Sequence, residues 1–276
     1  MTMRDTVARF VLNNGSLVRV FKRIPGIRAC AKKVAMGVLP VGYRDWFQVQ
    51  GGVGKGIWLK LNPRTGDAYY RGQAEAQLQQ LLQGHLRPSM VFYDLGANNG
   101  FFSLLAARLV GQTGKVVAFE AEPRIANDLE ENVAKNHACN IRVVRSAVWS
   151  SSGAVNFDPA DRRMSPDLGT GKVVSRSNER TVGLPAICLD DFVETERPPH
   201  FVKCDTEGAE VEVFRGATKL LAKFRPYFEC EVHSQENRLF LQDAFEQMNY
   251  DVRWCSANHF LAVPRESHSN LNGRVA

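Results

Sequence analysis

The sequence predicts an α/β protein built on a doubly wound, mostly parallel sheet. Three observations predict it. Residues 91–120 read as a β-α-β unit, strand-like and helix-like stretches alternate through the second half, and the last two strand-like runs are joined by a short turn. Alternation of this kind gives a parallel sheet with helices on both faces, and a closing hairpin places one antiparallel strand in it. In the β-α-β unit, the apolar run Met90–Tyr93 ends in Asp94 and the turn Gly96-Ala97-Asn98-Asn99-Gly100. Phe102, Leu105, Ala106 and Leu109 follow at helical spacing, Gly111 and Gly114 break the pattern, and Val116–Phe119 ends on Glu120.

The other elements follow in order. Ile57, Leu59 and Leu61 alternate with polar neighbours, as in a half-buried strand, and 62–67 reads as a loop. Leu78, Leu81, Leu82 and His85 mark a helix over 74–86. Glu122-Pro123 opens a helix whose inner face is Ile125, Leu129 and Val133, since proline suits a first turn. Residues 141–148 read as a third strand and 154–157 as a short fourth. Residues 158–181 are polar and glycine-rich, a long excursion of the kind that often carries function. Regular structure resumes at Leu189-Asp190-Asp191-Phe192, with strands at 201–205, 227–233, 250–255 and 259–263 and helices beginning near Ala209 and spanning Leu241 to Met248.

The net charge of +6 is unevenly placed: residues 1–44 carry +8, leaving about −2 for the rest. A basic, helical arm over 1–50 is therefore expected before a domain at 51–265 and a flexible tail at 266–276. Such an arm suits peripheral contact between residues 1–44 and an anionic membrane, or packing with a solvated basic face. No apolar run approaches the length of a membrane span, and no signal-peptide pattern is evident. The six cysteines are scattered, with no CxxC pair, which predicts a reducing, cytoplasmic setting. No His, Cys and Asp spacing picks out a metal site.

The turn after the first core strand restricts the ligand. A dinucleotide fingerprint requires G-x-G-x-x-G, and alignment on Gly96 puts Asn98 and Phe101 at the second and third glycines. The second glycine is the one that admits pyrophosphate. S-adenosylmethionine has no phosphate, so it avoids that demand. Asp94 would then meet the ammonium of its amino acid tail, backbone at Gly96, Asn98 and Gly100 would lie under it, and Glu120 would accept both ribose hydroxyls.

The segments DLGANNGFFSLLAA, VVAFEAEP, SAVWSSSG, LDDF, FVKCDTEGAEVEVFRGA and ECEVH, in this order and spacing, resemble the FkbM family of S-adenosylmethionine-dependent methyltransferases. The resemblance runs from roughly Gly56 to Pro264, and its most specific part is Asp205-Thr206-Glu207-Gly208-Ala209-Glu210, with Thr206 where the family more often has an aliphatic residue. It implies a class I methyltransferase fold and O-methylation of a hydroxyl on a sugar, a glycan or lipid-linked glycan, or a secondary metabolite. It also implies that Asp94, Gly96, Asn98, Gly100 and Glu120 hold the cofactor, with Ser146 and Ala147 near the adenine.

Charge on the later strands points the same way. Lys203 and Asp205 share one side of their strand, and Glu229, Glu231 and His233 share one side of theirs. Such charge inside a parallel sheet is costly unless paired, and Lys203 against Glu229 or Glu231 is the expected pair. Methyl transfer to a hydroxyl needs positioning and removal of a proton. His233 is the first candidate base, with Asp205 or Glu231 orienting it or acting instead. Two other readings compete: an RNA methyltransferase using the basic arm for backbone contact, and a non-enzymatic module that has lost cofactor binding.

Overall fold

A computed structural model describes residues 43–62, 64–159, 171–174 and 179–265. The elements are β1 (Asp45–Gln48), β2 (Trp58–Leu61), α1 (Asp67–Arg71), α2 (Ala76–His85), β3 (Val91–Leu95), α3 (Phe101–Val110), β4 (Lys115–Phe119), α4 (Pro123–Lys135), β5 (Ile141–Val144), β6 (Ala147–Val148), β7 (Gly153–Asp158), β8 (Lys172–Val173), β9 (Val182–Ile187), α5 (Leu189–Phe192), β10 (Phe201–Cys204), α6 (Glu210–Arg215), α7 (Thr218–Phe224), β11 (Tyr227–Glu231), α8 (Gln235–Gln247), β12 (Tyr250–Trp254) and β13 (His259–Pro264).

The central sheet has the order β12-β13-β11-β10-β3-β4-β5. Every pairing among β5, β4, β3, β10 and β11 is parallel. The closing hairpin inserts β13 antiparallel to both β11 and β12, so one strand runs against the rest, as the sequence predicts. Successive residues of each strand enter different layers. Tyr93, Val117, Val202 and Phe228 join the core with Leu189, Phe214, Leu221 and Phe245. Phe92, Val116, Phe201 and Leu261 join the opposite core with Leu82, Phe101 and Leu105.

Four features differ from the expectations. First, Asp45–Gln48 is a strand paired antiparallel to β2, whereas the expected helical arm runs through residue 50. The hairpin is fastened to α4, whose Asn132 and Asn136 side chains accept from the backbone N–H groups of Lys60 and Trp58. Second, the expected third strand over 141–148 is two strands. β5 ends the main sheet, whereas β6 belongs to a second sheet of order β6-β9-β7-β8. Third, β8 lies inside the expected 158–181 loop and β9 just beyond it, where Gly183 and Pro185 hide the signal of β9. Fourth, the helix expected from Ala209 is divided into α6 and α7 at Gly216, where a Cβ would stand 2.2 Å from the Trp149 carbonyl oxygen. The expected tail and all but the last two residues of the 1–44 basic segment lie outside the described residues. Arg44, which is described, pairs with Asp128 at 2.5 Å. Among the described residues no helix is long and apolar enough to cross a membrane.

Candidate active site

A cleft opens at the carboxyl ends of the parallel strands, where ligands bind in sheets of this type. Its walls include Gly96, Asn98, Glu120, Ser146, Ala147 and Asp205. The turn after β3, the end of β4, the β5–β6 junction and the end of β10 therefore converge. Phe157 and Lys172, from β7 and β8, also line the cleft. They come from the second sheet, whose short strands gave little periodicity to read.

Glu120 is fixed by its own turn. Its Oε2 accepts from the Asn98 N–H at 2.8 Å and its Oε1 from the Glu122 N–H at 2.9 Å. Burial raises its pKa to about 7, against the lowering effect of these two bonds. Asn98 occupies the left-handed region at φ 49°, which asparagine tolerates better than most residues.

Gly96 has a different reason from the one the sequence suggests. At φ 75° a Cβ there would stand 1.8 Å from the Asp205 carbonyl oxygen, so the glycine admits the neighbouring strand rather than a ligand. Gly100 likewise makes room for Leu129, whose Cδ1 would be 2.2 Å from a Cβ. Gly96→Ala is expected to prevent folding of this region, read as loss of the cooperative thermal transition; a native-like melt would contradict the assignment.

Asp94 is wholly buried behind the turn, away from the cleft lining. Its Oδ2 accepts from the Ser103 hydroxyl at 2.6 Å, and its Oδ1 faces Lys203 Nζ at 3.4 Å. Lys203 also approaches Asp205 Oδ2 at 3.5 Å and donates to the Gly96 carbonyl at 3.2 Å. The expected pairing of Lys203 with Glu229 or Glu231 is thus replaced by one with Asp94 and Asp205. Glu229 stands beside Lys203 in register but bonds His259 Nδ1 at 2.9 Å. Burial opposes the Lys203 charge, yet the surrounding carboxylates, Asp94 first, outweigh it and hold its pKa well above the ordinary lysine value.

His233 extends this chain of charges. Its Nδ1 meets Glu210 Oε1 at 2.7 Å, and its Nε2 lies 3.8 Å from Asp205 Oδ1 and 3.6 Å from Glu207 Oε2. The Glu210 hydrogen bond raises its pKa to about 9. Glu210 is buried and also accepts from the Gly208 N–H and the Asn237 side chain. The sequence shows it only as the last residue of the Asp205–Glu210 motif, and a partner 23 positions away gives no local signal. Glu231, His233 and Asp205 present ligand-type atoms within 4.8 Å of one another, as do Glu75, Glu231 and His259. The structure thus brings His233, Asp205 and Glu231 together, beside the cleft whose wall includes Asp205.

Comparison with known proteins shows the family. The family model described as "Methyltransferase FkbM domain" matches residues 94–253. A curated relative, the hexuronic acid methyltransferase AglP of Haloferax volcanii, is 30% identical over 164 residues. That match covers 59% of this chain and 64% of the relative, less than two thirds of its length. Among solved structures, the FkbM methyltransferase of Methylobacillus flagellatus KT is 16% identical with a TM-score of 0.46, over 73% of this chain and 55% of that one. The precorrin-6y C5,15-methyltransferase of Geobacter metallireducens GS-15 is 15% identical with a TM-score of 0.45, over 68% of this chain and 85% of that one.

Proposed function

The chain belongs to the FkbM family of S-adenosylmethionine-dependent methyltransferases, and from that premise we propose that it O-methylates a hydroxyl of a sugar or glycan. The observation that carries this reading is the position of Asp205. It forms part of the cleft wall and stands next to His233, whose other nitrogen is tied to buried Glu210. A base held by an orienting carboxylate beside the reacting group is the arrangement that proton removal requires.

The residues around the cleft suit the cofactor. Each Glu120 oxygen accepts one backbone N–H and keeps capacity for a ribose hydroxyl. Ser146 and Ala147, which line the cleft at the β5–β6 junction, would face the adenine. Asp94 acts at a distance: it fixes Lys203, and Lys203 holds the Gly96 carbonyl under the ligand. When bound, the cofactor supplies a methyl group already activated by its sulfonium, so its transfer needs no further activation on that side. The protein's part is to align the acceptor and take its proton. In its neutral form His233 takes the acceptor's proton on Nε2, with Asp205 facing that nitrogen at 3.8 Å and Glu210 holding the ring through Nδ1. Because the Glu210 bond raises the His233 pKa to about 9, the neutral fraction, and the rate with it, rises with pH toward 9.

A hydroxyl acceptor is favoured by the sequence after β10. Asp205-Thr206-Glu207-Gly208 stands where enzymes that methylate exocyclic amines of bases carry Asn/Asp-Pro-Pro-Tyr. The hexuronic acid relative supports a sugar. Labelled cofactor offered with a panel of neutral sugars, uronic acids and lipid-linked glycans tests the reading; labelled base amines of RNA with unlabelled sugars would overturn it. His233→Ala is expected to lower kcat by about 10²–10⁴-fold with cofactor affinity nearly unchanged, and full turnover would remove it as the base.

A further inference from the structure

Next to the proton-accepting group the sheet holds more carboxylates than neighbouring cations match. Glu229 and Glu231 lie on one face of β11, and β13 sets His259 directly opposite Glu231. Glu75, just before α2, reaches the same point from outside the sheet, and ligand-type atoms of Glu75, Glu231 and His259 all lie within 4.8 Å of one another. His259 is oriented from behind. Its Nδ1 is bonded to Glu229 Oε1 at 2.9 Å, which turns Nε2 toward Glu231 Oε2 at 3.7 Å. Glu229 is 2% exposed. Its Oε2 and the Oε2 of Glu75 are both buried and without a hydrogen-bond partner among the described residues. Lys203 is committed to Asp94 and Asp205, which, among the described residues, leaves the His259 imidazole alone to face Glu229 and Glu231. Buried acceptor oxygens left without a donor are costly, and two in one acidic cluster point to a positively charged occupant.

We propose that Glu75, Glu231 and His259 form a binding site for a divalent cation, with Glu229 as the outer carboxylate that fixes the imidazole. Two carboxylates and one imidazole suit a first-row ion such as Mn²⁺, Fe²⁺ or Zn²⁺ better than Ca²⁺. A ligating histidine almost always has its second nitrogen held by a carboxylate or carbonyl, as Glu229 holds this one. Three protein ligands leave positions open for oxygens from outside. Ligand-type atoms of Glu231, Asp205 and His233 also lie within 4.8 Å of one another, so the ion lies beside the place where the acceptor must sit. Its role, which rests on the methyl-transfer reading, is to hold the acceptor's oxygen atoms and orient the hydroxyl toward His233. The ion-binding claim itself does not depend on that reading.

The full chain, stripped with EDTA and dialysed, is titrated with Mn²⁺ while free ion is followed by electron paramagnetic resonance. One ion per chain is expected. Glu75→Gln keeps the shape but removes a ligand charge and is expected to weaken binding at least about tenfold; Glu229→Gln is expected to weaken it by roughly 10–100-fold through the imidazole. S-adenosylmethionine affinity, measured by calorimetry on the same samples, is expected to stay unchanged in Glu75→Gln. No stoichiometric Mn²⁺ binding by the wild type overturns the site, and so does wild-type affinity in Glu75→Gln. Should Glu229→Gln fail to fold, the Glu75→Gln comparison alone decides. A chain that binds one Mn²⁺, loses it in Glu75→Gln and methylates no sugar supports the site and counts against the proposed function.

Discussion

Lys203→Met is expected to destabilise the fold by about 3–5 kcal/mol, the usual cost of leaving one partner of a buried ion pair uncompensated. Lys203 is 3% exposed and Asp94 is fully buried. Methionine keeps most of the apolar stem, so lost packing contributes little to the difference, whereas the Nζ that stands 5.6 Å from the Phe102 ring centroid goes with the charge. What disappears is the ammonium that balances Asp94 on one side and Asp205 on the other. Asp94 keeps only the Ser103 hydroxyl, too little to hold a charge in the interior. The pair Asp94→Asn with Lys203→Met removes both charges and is expected to recover much of the loss. A denaturant series on the wild type, both single variants and the double variant measures the coupling. A Lys203→Met variant within about 1 kcal/mol of wild type would show that Asp94 sits there uncharged and that the pairing carries no energy. The gap is too wide for experimental scatter to close.

The same residues show what the sequence could disclose. Strands β3, β4, β10 and β11 were legible because their apolar runs end at a charged residue or a glycine turn, a local pattern. The closing hairpin was legible because its two runs sit either side of a three-residue turn. β6 was hidden because it is only two residues long and only Arg145-Ser146 separates it from β5, too short a gap to announce a change of sheet. The candidate site was legible as a set of residues and much less as a set of contacts. Asp94 and Lys203 were both singled out, yet their pairing depends on β10 lying next to β3, which strand spacing alone does not determine. Gly96 was marked as backbone beside the ligand, but what its missing Cβ makes room for is the Asp205 carbonyl, 109 residues away in sequence. Glu75 and His259 carried no signal, since each acquires meaning only when a segment before the sheet and the last strand meet beside Glu231.

Glu120→Ala is expected to weaken S-adenosylmethionine binding by roughly 1.5–3 kcal/mol, the scale of hydrogen bonds to a charged group. Alanine also frees the Asn98 and Glu122 N–H groups, so the variant by itself mixes a lost ribose contact with a loosened turn. Proton linkage separates the two. In the free protein burial raises the Glu120 pKa from 4.5 to about 7. A carboxylate that accepts two hydroxyls binds best when charged, so affinity should rise with pH from 6 to 8 and level off above that, where the proton is already gone. The free fold behaves in the opposite sense. Because the folded pKa lies above the ordinary value, the folded chain holds the extra proton between pH 4.5 and 7. The stability this supplies is on the order of 3 kcal/mol, present below pH 4.5 and lost as pH climbs through 7. Cofactor-induced stabilisation should therefore grow across the window in which the free protein weakens. Melting curves with and without S-adenosylmethionine at pH 6, 7 and 8 read both trends at once, and Glu120→Gln should flatten the growth of the cofactor effect. A wild-type affinity independent of pH over that range, together with full binding by a folded Glu120→Ala, would remove Glu120 from the ribose.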